Sequence, residues 1–422
     1  MVNVLIVGGG AREHALAWKI ALSPKINKLY VAPGNAGTAG IATNIPLKPT
    51  DIEQLFNTAK QLNIDITIVG PEVPLSLGIV DYFEKGGLKV FGPSAIAAKI
   101  ESSKVFSKYI LKKYSIPCSE GQSFSEPGKA IEYIKTQNMP IVIKADGLAA
   151  GKGVIIAETH EQAIKAISDI MEMRVFGTAG EQLIIEEFLT GKEVSLLAFT
   201  DGTTVKPMVP ACDYKRIFDN DMGLNTGGMG AYSPPSFFDE NLISQVIEDI
   251  IEPTIRGLSS EGIQYKGVLY TGLIMNNNKP KVLEFNARFG DPEIQAIIPR
   301  LKTDLLDIAN AVINENLADI EIDWNADSCV GVVMSSGGYP GKYETGYAIN
   351  GLDKLDKDII VFHAGTRIND NTEIVTDGGR VLTVTASGKT IKEAREHVYN
   401  NINKINFKDC HYRKDIALRE VV

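Results

Sequence analysis

Apolar residues fall along this chain in alternating rhythms. Val2–Val7, Lys28–Ala32, Asp65–Val69 and Leu88–Phe91 are short apolar runs of strand length. Each ends in glycine or proline: Gly8-Gly9-Gly10, Pro33-Gly34-Asn35-Ala36-Gly37, Gly70-Pro71-Glu72 and Gly92-Pro93. Between them, Ala11–Ala21 and Asp51–Leu62 read as helices, with Asp51 near the cap. Strand, glycine turn and helix in repetition predict a parallel, doubly wound sheet. Ligands of such sheets bind beyond the carboxyl ends of the strands. The next helix is predicted over Ser94–Lys113, on Ile96, Ile100, Phe106, Ile110 and Leu111. It carries Lys104 and stops at Ile116-Pro117.

The middle of the chain changes rhythm. Ile141–Asp146 is a predicted strand with Lys144 in its apolar centre. Gly147-Leu148-Ala149-Ala150-Gly151-Lys152-Gly153 and a second strand, Val154–Ala157, follow. A glycine hairpin lets backbone N–H groups approach phosphates, and Lys144 sits where a strand lysine could reach one. This is not a P-loop: Lys152 precedes Gly153 rather than Ser or Thr, and a strand follows. Leu183–Leu189 turns at Thr190-Gly191 into a new strand, a hinge that can offer backbone groups to an adenine edge, with Glu193 near a ribose. Pro210–Pro235 is a long polar loop containing Asp213, Lys215, Arg216 and Asn225-Thr226-Gly227-Gly228-Met229-Gly230. Loops of that length inside compact chains are usually functional.

After helices over Asn241–Glu261 and a strand at Val268–Met275 comes the most informative stretch. If Lys281–Arg288 is a strand, Leu283, Phe285 and Ala287 form one apolar face, and Glu284, Asn286 and Arg288 line the other. Hard oxygen donors suit Mg²⁺, which shares its shell with phosphate oxygens, and the adjacent Arg suits phosphate or carboxylate. Gly290 allows a tight turn. Asp291-Pro292 reads as an N-cap and first-turn proline of a helix that continues towards Asn316. From Cys329 onward, short strands at Val330–Met334, Ile359–His363 and Val381–Ala386 and a helix at Ile391–Ile405 suggest a small α+β domain, with no obvious catalytic group.

Composition narrows the classes. A chain of 422 residues supports two to four domains, and 44% hydrophobic with 23% charged residues is ordinary globular usage. The net charge of −9 is spread along the chain without a basic block, which argues against nucleic acid as a partner. Cys118, Cys212, Cys329 and Cys410 form no C-x-x-C pair, which points to a reducing cytosol without disulfides or a zinc site. No signal-like or membrane-spanning segment is evident, so a cytoplasmic protein is expected. The first turn, Gly8-x-Gly10-x-x-Glu13, lacks the third glycine of the dinucleotide fingerprint. The second strand ends without an acid for a ribose, so NAD binding is disfavoured.

In order, the chain has a Rossmann-like start, Lys104, strand-borne Lys144, a glycine hairpin, Glu186-Glu187-Phe188-Leu189 and Glu284-x-Asn286-x-Arg288. That order resembles the ATP-grasp superfamily. Arg288-Phe289-Gly290-Asp291-Pro292-Glu293, Asn225–Gly230, Gly8-Gly9-Gly10-Ala11-Arg12-Glu13-His14 and Ala32-Pro33-Gly34-Asn35 resemble, more narrowly, the glycinamide ribonucleotide synthetases (phosphoribosylamine–glycine ligases) over essentially the whole chain. The resemblance implies a multidomain α/β and α+β protein: a Rossmann-like domain over 1–100, an ATP-grasp core over 101–120 and 191–326, a lid over 121–190, and an α+β domain over 327–422. It implies ATP and Mg²⁺ or Mn²⁺ as cofactors, glycine and 5-phosphoribosylamine as substrates, no nucleic acid or membrane, and a monomer or weak dimer. Glycine's carboxylate would be phosphorylated and then attacked by the amine.

By the same resemblance, Glu284 and Asn286 would hold the metal, and Arg288, Lys144 and Asp291 would be catalytic. Lys104, Lys144, Gly147, Gly151, Lys152 and Gly153 would contact phosphates, Glu186, Glu187, Phe188 and Leu189 the adenine, and Glu193 the ribose. Substrate would meet Gly8, Gly10, Asn35, Gly37, Gly70, Pro71, Glu72, Asp213, Lys215, Asn225, Gly227, Gly228, Arg288, Gly290 and Asp291. Many ATP-grasp enzymes carry an acidic metal ligand one strand earlier, but here that strand reads Tyr270-Thr271-Gly272-Leu273-Ile274. Rival readings are an ATP-grasp carboxylase or formate-dependent transformylase, an NAD-dependent oxidoreductase, and a non-catalytic ATP-binding regulator.

Overall fold

The computed structural model describes residues 1–148, 153–277 and 279–421, so Gly151 and Lys152 lie outside the described residues. The opening unit follows its periodicity. Five strands lie in the order Thr43–Asn44, Ile26–Pro33, Val2–Gly8, Ile66–Val69, Val90–Phe91, all parallel. The ends at Gly8 and Gly70 are therefore neighbours, at the point where the strand order reverses. Helix Ala11–Ala21 packs on Val2–Gly8 and Ile26–Pro33 and buries Leu16 and Ile20 completely.

The predicted helix over Ser94–Lys113 is not continuous. It divides into Lys99–Ser102 and Lys104–Lys113 at Ser103, which is extended (φ −136°, ψ 109°). The Ser103 hydroxyl accepts from Phe106 N at 3.1 Å and so caps the second helix. Asp146, across the cleft, accepts from that hydroxyl (3.3 Å) and from Val105 N (3.1 Å). Ile96, read above as a core position, is 50% exposed.

Two four-stranded antiparallel sheets then face each other. One has the order Gly121–Phe124, Leu183–Glu187, Ile141–Ala145, Val154–Ala157. The other has Val205–Pro207, Lys192–Thr200, Gly267–Asn276, Lys279–Asn286. The short connection from Glu187 to Lys192 is the hinge between them. Lys144 crosses the gap and donates to Leu283 O at 3.1 Å.

The strand Lys279–Asn286 departs from simple alternation. Its register against Gly267–Asn276 shifts between Gly272, opposite Glu284, and Leu273, opposite Val282. Leu283 is the extra residue of a bulge, so the buried side chains are Val282, Phe285 and Ala287, while Leu283 is half-exposed. The strand ends at Asn286, and Arg288 lies beyond it. Asp291 does not cap the following helix. Pro292 occupies the N-cap of Glu293–Ile297, and the Asp291 carboxylate turns instead to Arg380 and Gln295. Phe289 anchors this turn. It stacks on Phe91 (centroids 6.0 Å apart, planes at 23°) and meets Phe199 edge-on at 6.1 Å.

A second five-stranded sheet has the order Cys212–Asp213, Gly230–Ser233, Ser328–Ser335, Arg380–Gly388, Ile360–His363. Its first two strands come from the long polar loop, so that loop is stitched into the small last unit. Among the described residues no helix is long and apolar enough to cross a membrane.

Candidate active site

The bulged strand forms the floor of the cleft. Past the bulge, Glu284 and Asn286 again point to one side, opposite Gly272 and Tyr270. Gly272 leaves room beside Glu284; a Cβ there would lie 3.2 Å from its Cγ. Glu284 is open to solvent, yet crowded by protein atoms and ringed by cations. Crowding would raise its pKa, but Lys215, Lys144, Lys104 and Arg288 outweigh that and hold it below the usual carboxylate range. Among the described residues Glu284 has no ion-pair partner. Asn286 Oδ1 accepts from Arg288 Nη2 at 3.2 Å. Arg288 Nη2 lies 3.1 Å from Glu101 Oε1, and Nε 3.5 Å from Glu72 Oε2. Glu101 also accepts from Ala287 N at 2.7 Å, so it fixes both the arginine and the backbone that precedes it.

The facing sheet and the helix Lys104–Lys113 supply lysines. Glu186 is buried between Lys108 (2.5 Å) and Lys144 (2.6 Å). Its own burial would push its pKa up, but Lys144 and Lys108 bring it down. Lys108 is tied further to Ser119 O at 2.8 Å. Lys104 donates to Gly147 O at 2.9 Å, where the glycine hairpin begins, and burial lowers its pKa. At the hinge, Glu187 pairs with Lys281 at 2.9 Å, Phe188 is 37% exposed, and Glu193 pairs with Lys215. Burial pushes the neighbouring Asp213 carboxyl up to about 7, with Glu293, Glu193 and Glu284 adding to the rise against Lys215. Beneath them lies a buried polar knot: Tyr270 donates to Glu293 Oε1 at 2.9 Å, and Ser195 Oγ lies 2.8 Å from the Tyr270 hydroxyl.

The mouth is built by the first and last units. Gly10 N–H donates to Glu13 Oε2 at 2.6 Å, and Arg12 Nε to Glu13 Oε1 at 2.6 Å. The Glu13 side chain packs against both Gly8 and Gly70, where any Cβ would collide with it. A methyl at Gly10 would lie 3.8 Å from Asp291 Oδ2, so this turn and the 288–293 turn share one wall. Asp291 is 3.0 Å from Arg380 Nη1. Arg380 also donates to Gly227 O, while Gly227 N donates to Tyr339 at 2.9 Å. Gly228 packs on Pro292 so closely that a side chain would not fit. Burial would raise the Asp291 pKa, but Arg380 and Arg12 draw it down.

Most of the expected residues thus converge: Glu284, Asn286, Arg288, Gly290 and Asp291 with Lys104, Lys144, Glu72, Asp213, Lys215, Gly227 and Gly228. Three point elsewhere. Asn35 spends its amide on Gly9 O (3.0 Å) and His363 O (2.7 Å), and Gly37 packs against His14 and His363, so both belong to the joint between the first and last units. Asn225 lies on an exposed hairpin opposite Arg216. Sequence reasoning missed Glu101, Lys108, Glu293 and Arg380. It also gave Glu13 no role, although an acid three residues after Gly10 has capping-box spacing.

The donor set fits a hard divalent cation. Glu284 and Asn286 offer oxygens on one side of a strand, and no cluster of three His, Cys, Asp or Glu completes a shell among the described residues. Such a pair suits an ion that keeps waters and phosphate oxygens. Comparison with known proteins agrees with this architecture. Residues 2–101 match the phosphoribosylglycinamide synthetase N domain, 102–294 its ATP-grasp (A) domain and 329–419 its C domain. The chain is 48% identical to a phosphoribosylamine–glycine ligase of Halalkalibacterium halodurans, covering 100% of this chain and 97% of that one. It is 48% identical to that of Escherichia coli K12, covering 100% and 99%. A crystal structure of the Thermotoga maritima phosphoribosylamine–glycine ligase superimposes with a TM-score of 0.85 at 34% identity, over 99% of this chain and 100% of that one. A biotin carboxylase from Campylobacter jejuni shares the fold (TM-score 0.76, 14% identity, 99% and 94% covered). The chain therefore belongs to the phosphoribosylglycinamide synthetase family, with its N, ATP-grasp and C domains all present.

Proposed function

We propose that this chain joins glycine to 5-phosphoribosylamine at the expense of ATP, giving glycinamide ribonucleotide, ADP and phosphate in de novo purine biosynthesis. The observation that carries the chemistry is Glu284, an ionised carboxylate without an ion pair among the described residues, ringed by Lys215, Lys144, Lys104 and Arg288. Structural carboxylates pair off; this one and its cations face a common space that suits a metal-bound polyphosphate.

Glu284 and Asn286 would hold the divalent ion, Mg²⁺ in the first instance and Mn²⁺ as an alternative. When bound, the ion supplies charge neutralisation between phosphate oxygens. Lys104, from the start of the helix Lys104–Lys113, and Lys144, from the facing sheet, meet phosphate charge. Lys144 is held at this height by Glu186, which Lys108 holds in turn. Lys215 faces glycine's carboxylate and Asp213 its ammonium. A carboxylate oxygen of glycine attacks the terminal phosphorus of ATP, the bond to ADP breaks, and glycyl phosphate forms. Arg288 stands beside the transferring phosphoryl group, oriented by Glu72 and Glu101. The amine of 5-phosphoribosylamine enters from the mouth, where Asp291 lies against the Gly10 turn. Its nitrogen attacks the glycyl carbon, phosphate leaves with the bonding pair, and the nitrogen gives one proton to the departing phosphate. Most of the rate enhancement is positioning and charge stabilisation.

The same reading carries a cytoplasmic protein that is a monomer or weak dimer. The deciding experiment measures ADP release with ATP, Mg²⁺ and freshly generated phosphoribosylamine, with and without glycine. ADP formed only with every component, alongside glycinamide ribonucleotide by mass, supports the reading. Release that ignores glycine but answers to bicarbonate or formate overturns it.

A further inference from the structure

The acid–base pair Asp213 and Lys215 sits on a stretch that no helix supports and that runs straight into an exposed hairpin. Tyr214, between them, is only 4% exposed. Its ring carries two guanidinium groups, Arg413 at 4.7 Å and Arg419 at 4.6 Å, and its hydroxyl accepts from Ala417 N at 3.0 Å. All three partners belong to the 411–420 segment.

That segment continues along the loop. Arg413 has a completely buried side chain and donates from Nη1 to Arg216 O (3.0 Å) and to Asp221 (2.9 Å). Its Nε and Nη2 hold both oxygens of Asp415 at 2.7 Å. Asp415 in turn accepts from Asn220 N at 2.9 Å, and His411 Nε2 donates to Ile217 O at 2.8 Å. On its other side the segment is bonded into the second five-stranded sheet through Ser335 N and His411 O (2.8 Å). Four of the five N–H donors of this buried guanidinium are placed on the segment and the loop, so Arg413 ties the one to the other.

We infer that the 411–420 segment is a clamp that holds the 213–222 loop in its substrate-binding form, with Arg413 and Arg419 as positioning residues for Asp213 and Lys215. This rests on the reading that Asp213 and Lys215 hold glycine. A clamp of this kind sets the competent fraction of the loop, and apparent glycine affinity scales with that fraction. ATP, held by the facing sheets and the bulged strand, is spared.

The test uses the full chain with Arg419→Ala, Arg413→Lys and Arg413→Ala, and with Asp213→Asn as the control for the site. Steady-state KM values for glycine and ATP are measured separately, and hydrogen exchange reads the amides of Tyr214 and Asn220. Arg419 is exposed, so its variant folds even where the buried Arg413→Ala does not. Loss of one cation over the Tyr214 ring is expected to raise the glycine KM about threefold, and loss of Arg413 about tenfold, with the ATP KM within about twofold. Protection of Asn220 and Tyr214 should fall in step. A raised glycine KM in Asp213→Asn with no change in the arginine variants overturns the clamp and keeps the site. An unchanged glycine KM in Asp213→Asn overturns the site reading and the clamp with it. Equal rises in both KM values, or unchanged exchange at the two amides, also overturn the clamp.

Discussion

Two regions of this chain set a carboxylate beside a glycine, the Gly8–Gly10 turn and the Glu284 strand, and the two carboxylates serve opposite ends. At the Gly8–Gly10 turn, Glu13 takes the helix N-terminal N–H for itself and is neutralised by Arg12. At the cleft floor, Glu284 has room beside Gly272 and four cations around it, but pairs with none of them. The first arrangement is closed: the chain's own carboxylate stands where a dinucleotide's pyrophosphate would need to lie. The second is open, and its charges balance only when an anion with a cation arrives. Glycine content does not separate the two; the uncommitted charges do.

The largest effect expected from breaking this contrast is at Glu284. Glu284→Ala should lower kcat by roughly 10³-fold or more with the fold intact, read by ADP release and circular dichroism. Near-normal turnover would remove the metal assignment. Next comes Lys144→Met, which strands Glu186 with Lys108 alone. A fall of about 10²-fold in kcat/KM for ATP is expected, with glycine KM little affected. A fall confined to glycine would reassign the lysine. Glu13→Gln sharpens the contrast from the closed side. It should destabilise the fold by about 1–3 kcal/mol, seen as a lower Tm, while leaving the ATP KM unchanged. A raised ATP KM there would show that the two regions are not separate.

The smallest effect is in pH. Asp213 is pushed up to about 7, so it gains its charge only as pH rises through that value. If the ionised form holds glycine's ammonium, apparent glycine affinity should fall about tenfold from pH 8 to pH 6. Asp213→Asn should flatten that limb. The sign for stability is opposite: a carboxyl raised in the folded state favours the fold at low pH, and that contribution is lost between the ordinary carboxylate range and about pH 7.

Much of this site was legible in the sequence because strands and turns announce themselves locally. Val2–Val7 and Ile141–Asp146 have the expected type and almost the expected ends, and the strand expected over Lys281–Arg288 is found over Lys279–Asn286. What escaped depended on distant partners. The Leu283 bulge follows from pairing with Gly267–Asn276, and no local pattern marks it. Ser103 breaks a helix because Asp146 waits across the cleft. Arg380 stands just before the strand predicted at Val381–Ala386, with no local mark of function, and only folding brings it beside Asp291. Buried charges on amphipathic helices, such as Glu101 and Lys108, are indistinguishable in sequence from solvated ones.

The sharing of strands in the second five-stranded sheet has a consequence for handling this protein in pieces. Gly230–Ser233 lies between Cys212–Asp213 and Ser328–Ser335. A fragment cut near residue 327 would strip one flank of Gly230–Ser233, an entirely buried stretch, and bare its ladder of N–H and C=O groups. Unpaired ladders of that kind recruit other chains, so such a fragment should self-associate rather than behave as a smaller version of the whole. Separately expressed halves would have to meet before either was sealed, and co-expression is the arrangement under which both should remain dispersed.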